Sequence, residues 1–231
     1  MHEDILKIIA RSEYYSDIIT EYERLANKQI AKDERQLQKL LVVSIEKILK
    51  EHSAETNNHA KNVIDLTRRF GLSLDLDLAE IKTLVLIARF HDIGKINISS
   101  KILNKPDKLN EEEWKQIKLH STYSYEILNQ IEEYKHIAND VLCHHERFDG
   151  TGYPNGLKGK DIPIYSRIIS VLDTYEVLIN GRVYKPAVSK LDAIAEIKRC
   201  SGTQFDPSVV KIFLEVCVKV GVITKTESLT E

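Results

Sequence analysis

The chain has 231 residues, 42% hydrophobic and 29% charged, with nine Gly and five Pro, a balance that suits a helix-rich protein with a sizeable core and argues against disorder except at the ends. Its formal charge of −2 offers no general attraction for polyanions, which excludes long nucleic acid as a default partner and leaves a small phosphate ligand open. Cys143, Cys200 and Cys217 are odd in number and lack CxxC spacing, so they read as reduced core residues and not as a disulfide framework or thiolate zinc site.

The start, His2-Glu3-Asp4, has no basic segment followed by a long apolar run, and no stretch of about 18 residues is free of charge. Neither a signal peptide nor a membrane span is therefore expected, and the cytoplasm is the expected compartment. Residues 1 to about 50 contain no Gly or Pro and predict helices throughout, with Leu37, Leu40, Leu41, Ile45, Ile48 and Leu49 forming an apolar stripe for packing or for pairing with a second copy. The helical pattern resumes from Glu51 to Phe70, with Gly71 as a stop, and the apolar run Leu78 to Phe90 predicts a buried helix. Further helices are expected at Glu111–Gln130, Glu132–Cys143, Ile164–Leu178, Lys190–Cys200 and Ser208–Val220, the last with Asp206 as N-cap and Pro207 at its first position. Between Asp149 and Pro163, the residues Gly150, Gly152, Pro154, Gly156 and Gly159 demand a structured loop.

Several metal-competent side chains stand where a plain core would place apolar ones. His91-Asp92 ends the run Leu84 to Phe90, His144-His145 ends Ile137 to Cys143, and Asp173 follows Ile168 to Leu172, where an unpaired carboxylate would need a cation or strong donors. Glu55 and His59, four apart, share one helix face, and His120 is a further candidate. Imidazoles mixed with carboxylates suit iron, manganese or zinc, and a carboxylate can bridge two ions. Each histidine taken singly reads equally as a surface or hydrogen-bonded core residue; the set is harder to dismiss. Downstream, His144-His145-Glu146 runs directly into Gly150-Thr151-Gly152-Tyr153-Pro154, where glycines permit close backbone approach and Tyr153 offers a ring and a hydroxyl, although a tight connection alone would also explain the loop.

His91-Asp92-Ile93-Gly94-Lys95 and His144-His145-Glu146 through Gly152-Tyr153-Pro154 resemble, in order, the two signatures of the HD-GYP family. The resemblance continues through Ile102-Leu103-Asn104-Lys105-Pro106, Gly156-Leu157-Lys158-Gly159, Asp173 and Gly202 to Pro207, over roughly residues 52 to 215. It implies an all-α HD-domain bundle with a glycine-rich GYP loop, here with additional N-terminal helices. It also implies a centre of two or three divalent ions, most simply iron or manganese, with zinc, nickel, cobalt or magnesium open. By the same resemblance the ligands are His59, His91, Asp92, His120, His144, His145 and Asp173, with Asp92 bridging and Glu55 as the carboxylate of three-metal members. Lys95 would neutralise a phosphate oxygen or assist the leaving group, though outside the family it is a helix-end lysine. Tyr153 is a substrate-contact candidate, and Arg182 with Lys185 would hold the phosphates, where the residues alone suggest only an exposed basic loop. The chain departs from the family pattern with Glu176 in place of the usual aspartate, Val183 where proline is common, and Ser121 where proline often follows the histidine.

The activity implied is a phosphodiesterase that opens cyclic di-GMP to linear pGpG and/or GMP through a metal-bridging hydroxide, with Asp92 and Lys95 as catalytic residues. Two rivals stand beside it: an HD phosphohydrolase of another nucleotide, and a non-catalytic adaptor that binds a cyclic dinucleotide. Expected partners are cyclic di-GMP or a related cyclic dinucleotide, diguanylate cyclase domains or other signalling proteins, and a second copy of the chain. The expected division is a helical segment at 1–50 for packing, sensing or dimerisation, a catalytic domain at 51–220, and a frayed tail at 221–231.

Overall fold

The computed structural model describes residues 2–28, 34–181, 186–222 and 224, with the side chains at 2, 28, 34 and 54–57 outside the description. In chain order the helices are α1 (His2–Ile9), α2 (Tyr15–Lys28), α3 (Glu34–His52), α4 (Ala54–Ser73), α5 (Leu78–Phe90), α6 (Ser100–Leu103), α7 (Glu111–Asn129), α8 (Lys135–Leu142), α9 (Ile164–Asn180), α10 (Lys190–Arg199) and α11 (Pro207–Lys219), with 3-10 turns at Ile93–Asn97 and Gly159–Asp161. No strand occurs among the described residues, only an isolated bridge between Ser201 and Phe205, so the fold is all-α as expected. None of these helices is long and apolar enough to cross a membrane. The chain divides into two compact units, Met1–Asn58 with Phe90–Leu142, and His59–Arg89 with Cys143–Glu231.

In the first unit, Ile5, Ile9 and Ile18 of the N-terminal helices and Leu41 and Ile45 of α3 are fully buried, as are Ile127 and Leu128 of α7. Among the described residues of the helical segment expected over 1–50, residues 10–14 are not helical. There the buried Ser12 hydroxyl accepts from the Tyr14 N–H (3.1 Å) and donates to the Ile96 carbonyl (2.6 Å), a local alternative to helical backbone pairing that also ties the turn to the 3-10 segment. Asn110 caps α7 through a reciprocal box with Glu113, which the sequence Asn-x-x-Glu dictates. Helix α8 begins three residues later than Glu132, because the Ile131 carbonyl accepts from both Tyr134 and Lys135 in a turn that precedes it.

The second unit is organised around Phe70, Val171, Leu172, Tyr175, Ile197, Phe205, Val210 and Phe213. Gly71 does not stop α4, which continues to Ser73. A Cβ at Gly71 would stand 3.0 Å from Ile81 Cγ1, so this glycine serves close side packing. The reversal falls instead at Asp75, whose φ of 53° supplies the left-handed residue that ends such helices. Asp206 caps α11 by accepting from the Ser208 N–H (2.7 Å), with Pro207 at the first position as expected. All three cysteines are buried and none is in a disulfide among the described residues.

Candidate functional site

The buried run of α5 ends at Phe90, and the chain then turns sharply, leaving His91 and Asp92 buried at 1% and 5% exposure. The following turn is pressed onto α7 at Gly94. A Cβ there would lie 2.1 Å from the His120 carbonyl oxygen and 2.4 Å from the Ser124 nitrogen, so only glycine permits the approach. Ser124 locks it: its hydroxyl accepts from the Gly94 N–H (2.8 Å) and donates to the His91 carbonyl (2.9 Å). This contact brings His120 of α7 to Asp92.

Asp92 turns one oxygen to each of two imidazoles. Oδ2 lies 3.4 Å from His91 Nε2, and Oδ1 lies 3.4 Å from His120 Nε2. The Lys95 ammonium sits 2.7 Å from Oδ2. His120 Nδ1 is 2.6 Å from the Ile117 carbonyl, which can only accept, so the ring proton is on Nδ1 and the Nε2 lone pair faces Asp92. Burial pushes the pKa of His120 down to about 4, opposed by the Asp92 charge and assisted by Lys95, so the ring is neutral near pH 7. The Ser121 hydroxyl is 3.5 Å from His120 Nε2.

In the second unit, His59 Nε2 is 2.9 Å from Asp173 Oδ1, and its Nδ1 is 2.5 Å from Glu176 Oε2. His144 is fully buried and His145 partly so; their rings stand 3.9 Å apart, with ring nitrogens within 4.8 Å of one another. The Tyr153 ring lies 4.9 Å from that of His145, and its N–H donates to the His145 carbonyl (3.3 Å). The glycine loop wraps the Glu146 carboxylate, which accepts the Asn155 N–H (2.7 Å) and the Leu157 N–H (3.0 Å). A Cβ at Gly152 would fall 2.3 Å from the Arg147 nitrogen, and Gly150 has φ of 86°, so both glycines are required by the winding. Phe148 and Asp149 N–H groups donate to the Gln204 and Thr203 carbonyls, fastening the loop to the Gly202–Pro207 segment.

These donors fit divalent ions. Two donors roughly 2.1 Å from one ion stand about 3.0 Å apart at a right angle and about 3.4 Å apart at the tetrahedral angle, close to the separations at Asp92 and at His59. A neutral imidazole whose other nitrogen is tied to a carbonyl or carboxylate is the form a metal ligand takes; His120 has it, and His59 has its Nδ1 tied to the Glu176 carboxylate.

Of the expected site residues, His91, Asp92, Lys95 and His120 are thus grouped in one unit. In the other, His59 is grouped with Asp173, and His144 and His145 with Tyr153 and the loop residues Gly150, Gly152 and Pro154. The Glu55 side chain, and Arg182, Val183 and Lys185, lie outside the described residues. Ser124, Glu146 and Glu176 were given no role by sequence reasoning. For Glu176 one signal existed: it falls one turn after Asp173 with Asn180 one turn further, a polar line on an apolar helix.

An all-helical chain with a buried His-Asp pair at a helix end, met by a histidine of another helix, defines an HD-domain protein. A family model described as "HD domain" matches residues 43–209, and the chain belongs to this family, in its HD-GYP branch. A "Cyclic di-GMP phosphodiesterase" of Thermotoga maritima is 35% identical over 178 residues, which are 76% of this chain and 48% of that protein. A "3'3'-cGAMP-specific phosphodiesterase 3" of Vibrio cholerae is 35% identical over 167 residues, 72% of this chain and 36% of that protein. The chain therefore spans less than half the length of these curated relatives. Among solved structures, a HDG"Y"P protein of Bdellovibrio bacteriovorus shares the fold with a TM-score of 0.56 at 17% identity, over 87% of this chain and 69% of that one.

Proposed function

We propose that this chain is a metal-dependent phosphodiesterase that hydrolyses a cyclic dinucleotide, cyclic di-GMP first, to linear pGpG and/or GMP. The observation that carries the reading is Asp92, a buried carboxylate with each oxygen turned to a different imidazole, the disposition of a ligand shared by two ions. The names of the relatives supply the substrate class. The proposed ligands are His59, His91, Asp92, His120, His144, His145 and Asp173, with Glu55 for a third ion and iron or manganese as the metal.

Bound ions would lower the pKa of a water and neutralise charge on the phosphodiester oxygens. Lys95, 2.7 Å from Asp92, adds a cation beside that centre for a phosphate oxygen or the leaving 3′-oxygen. Tyr153 offers a face for a guanine base, and Arg182 and Lys185 hold the phosphates. Water adds to phosphorus, the bond to the 3′-oxygen breaks, and that oxygen takes a proton, which leaves a 5′-phosphate and a 3′-hydroxyl. A cytoplasmic setting, a dimer formed through residues 1–50, and diguanylate cyclase domains as partners belong to the same reading, as does a catalytic domain at 51–220.

Anaerobic purification with elemental analysis, followed by parallel incubation with cyclic di-GMP, cyclic GMP-AMP and mononucleotides, tests it. Two or three ions per chain and a linear dinucleotide product are expected. A preference for mononucleotides would point to another HD phosphohydrolase, and binding without turnover to an adaptor.

A further inference from the structure

Glu176 is 1% exposed on α9, one turn beyond Asp173, and a buried carboxylate is costly unless donors surround it. It has three. His59 Nδ1 approaches Oε2 at 2.5 Å, while the amides of Asn62 (2.8 Å) and Asn180 (3.0 Å) both donate to Oε1. The Asn180 amide also reaches the Glu176 carbonyl (3.3 Å), which can only accept, so its NH2 is the group turned toward Glu176. With Oε1 claimed by amide donors, Oε2 is the oxygen presented to the imidazole.

We propose that Glu176 is a positioning residue for the metal centre: its carboxylate holds His59 in the Nδ1–H form and at the ring angle that presents the Nε2 lone pair beside Asp173 Oδ1. The proposal rests on the reading of His59 as a ligand. In its ionised form the Glu176 carboxylate has no proton to give, so Nδ1 donates to it, and Nε2 remains for an ion. Ligand histidines are held in this way by an outer carboxylate, which also raises their basicity. The glutamate that departs from the family's usual aspartate thereby acquires a role, since it spans from α9 to α4, where His59 and Asn62 lie three residues apart.

The substitution Glu176→Gln has a directional consequence. Asn180, and Asn62 with it, keep the amide oxygen on their side, so the new NH2 faces His59 Nδ1. A donor there turns Nδ1 into an acceptor and moves the ring proton to Nε2, the atom the ion needs. The test uses the zinc-loaded full chain, with histidine labelled in 15N for NMR and zinc affinity measured by chelator competition. In the wild type, His59 is expected to show a protonated, slowly exchanging Nδ1 and a metal-bound Nε2. In E176Q that Nδ1–H signal is lost and the dissociation constant rises roughly 10- to 100-fold. Asn180→Ala keeps the carboxylate and removes one of its donors, so it should weaken zinc binding in the same direction by less, and it decides the matter should E176Q not fold. A folded E176Q with the Nδ1–H signal intact and zinc affinity within about twofold of wild type overturns the proposal, as does an N180A unchanged in both respects when E176Q does not fold. His59→Ala separates the two levels. If it binds all the zinc as tightly as wild type, the ligand reading itself fails; if it loses an ion while E176Q does not, only the role of Glu176 fails.

Discussion

Gly94→Ala should be among the most damaging single-methyl additions to this chain. The new Cβ would stand 2.1 Å from the His120 carbonyl oxygen, 2.4 Å from the Ser124 nitrogen and 2.8 Å from the Ser124 hydroxyl, and the first two are backbone atoms of a packed helix that cannot swing aside. To reach ordinary contact the 3-10 turn must retreat by roughly 1 Å or more. That movement breaks the Gly94 N–H bond to Ser124 and the Ser124 bond to the His91 carbonyl, both buried. Two buried hydrogen bonds lost at about 1–3 kcal/mol each give roughly 2–6 kcal/mol, to which the displacement of the turn adds, a large part of the whole stability of a domain. At about 2–4 °C per kcal/mol for a chain of this size, the melting temperature should fall by roughly 5–20 °C. Ser124→Ala removes the same bonds without the clash and should cost less. Thermal unfolding by circular dichroism of wild type, G94A and S124A makes the comparison, and a G94A that melts within a degree or two of wild type would refute the account of why glycine stands in this motif.

The pH dependence of the metal-stripped protein follows from His120. Its folded pKa of about 4 lies below the ordinary 6.5, so the unfolded chain binds more protons between those values and stability falls as pH drops from about 6.5 toward 4, by roughly 3 kcal/mol in all. Melting curves across that window should flatten in His120→Asn, and an unchanged slope would contradict the assignment. Glu146→Ala frees the Asn155 and Leu157 N–H groups from a buried carboxylate, and should speed hydrogen exchange over residues 150–157 while raising KM more than it lowers kcat. Ser12→Ala removes a buried hydroxyl bond to the Ile96 carbonyl and should cost about 1–2 kcal/mol in denaturant unfolding, with no measurable cost if the N-terminal turn is only loosely held.

Much of this architecture could be read from residue patterns because the patterns were local. The apolar run Leu78–Phe90 had to be a helix, though only one face of it is buried and Leu78 is exposed, and Asp206-Pro207 had to start one, since cap and proline act within a single turn. Gly71 misled because a glycine can end a helix or admit a neighbouring side chain, and the choice depended on Ile81, ten residues away. The break at Ser12 was invisible for a similar reason: its partner is the Ile96 carbonyl. At the site, His91-Asp92 and His144-His145 announced themselves by interrupting apolar runs. His120 was only a further candidate until the family resemblance assigned it as a ligand, and Glu176 registered only as a departure, because His59, the histidine it contacts, lies 117 residues earlier in the chain.

The central claim is that Asp92 shares ions with the surrounding histidines and that these ions drive hydrolysis of a cyclic dinucleotide. The rate of cyclic di-GMP opening by anaerobically prepared protein, stripped with chelator and reloaded with iron or manganese, measures this directly in wild type and Asp92→Asn. Stripping should silence the wild type, metal should restore it, and D92N should stay at least roughly 100-fold slower after reloading. A stripped wild type that still turns over, or a D92N that recovers fully, would contradict it.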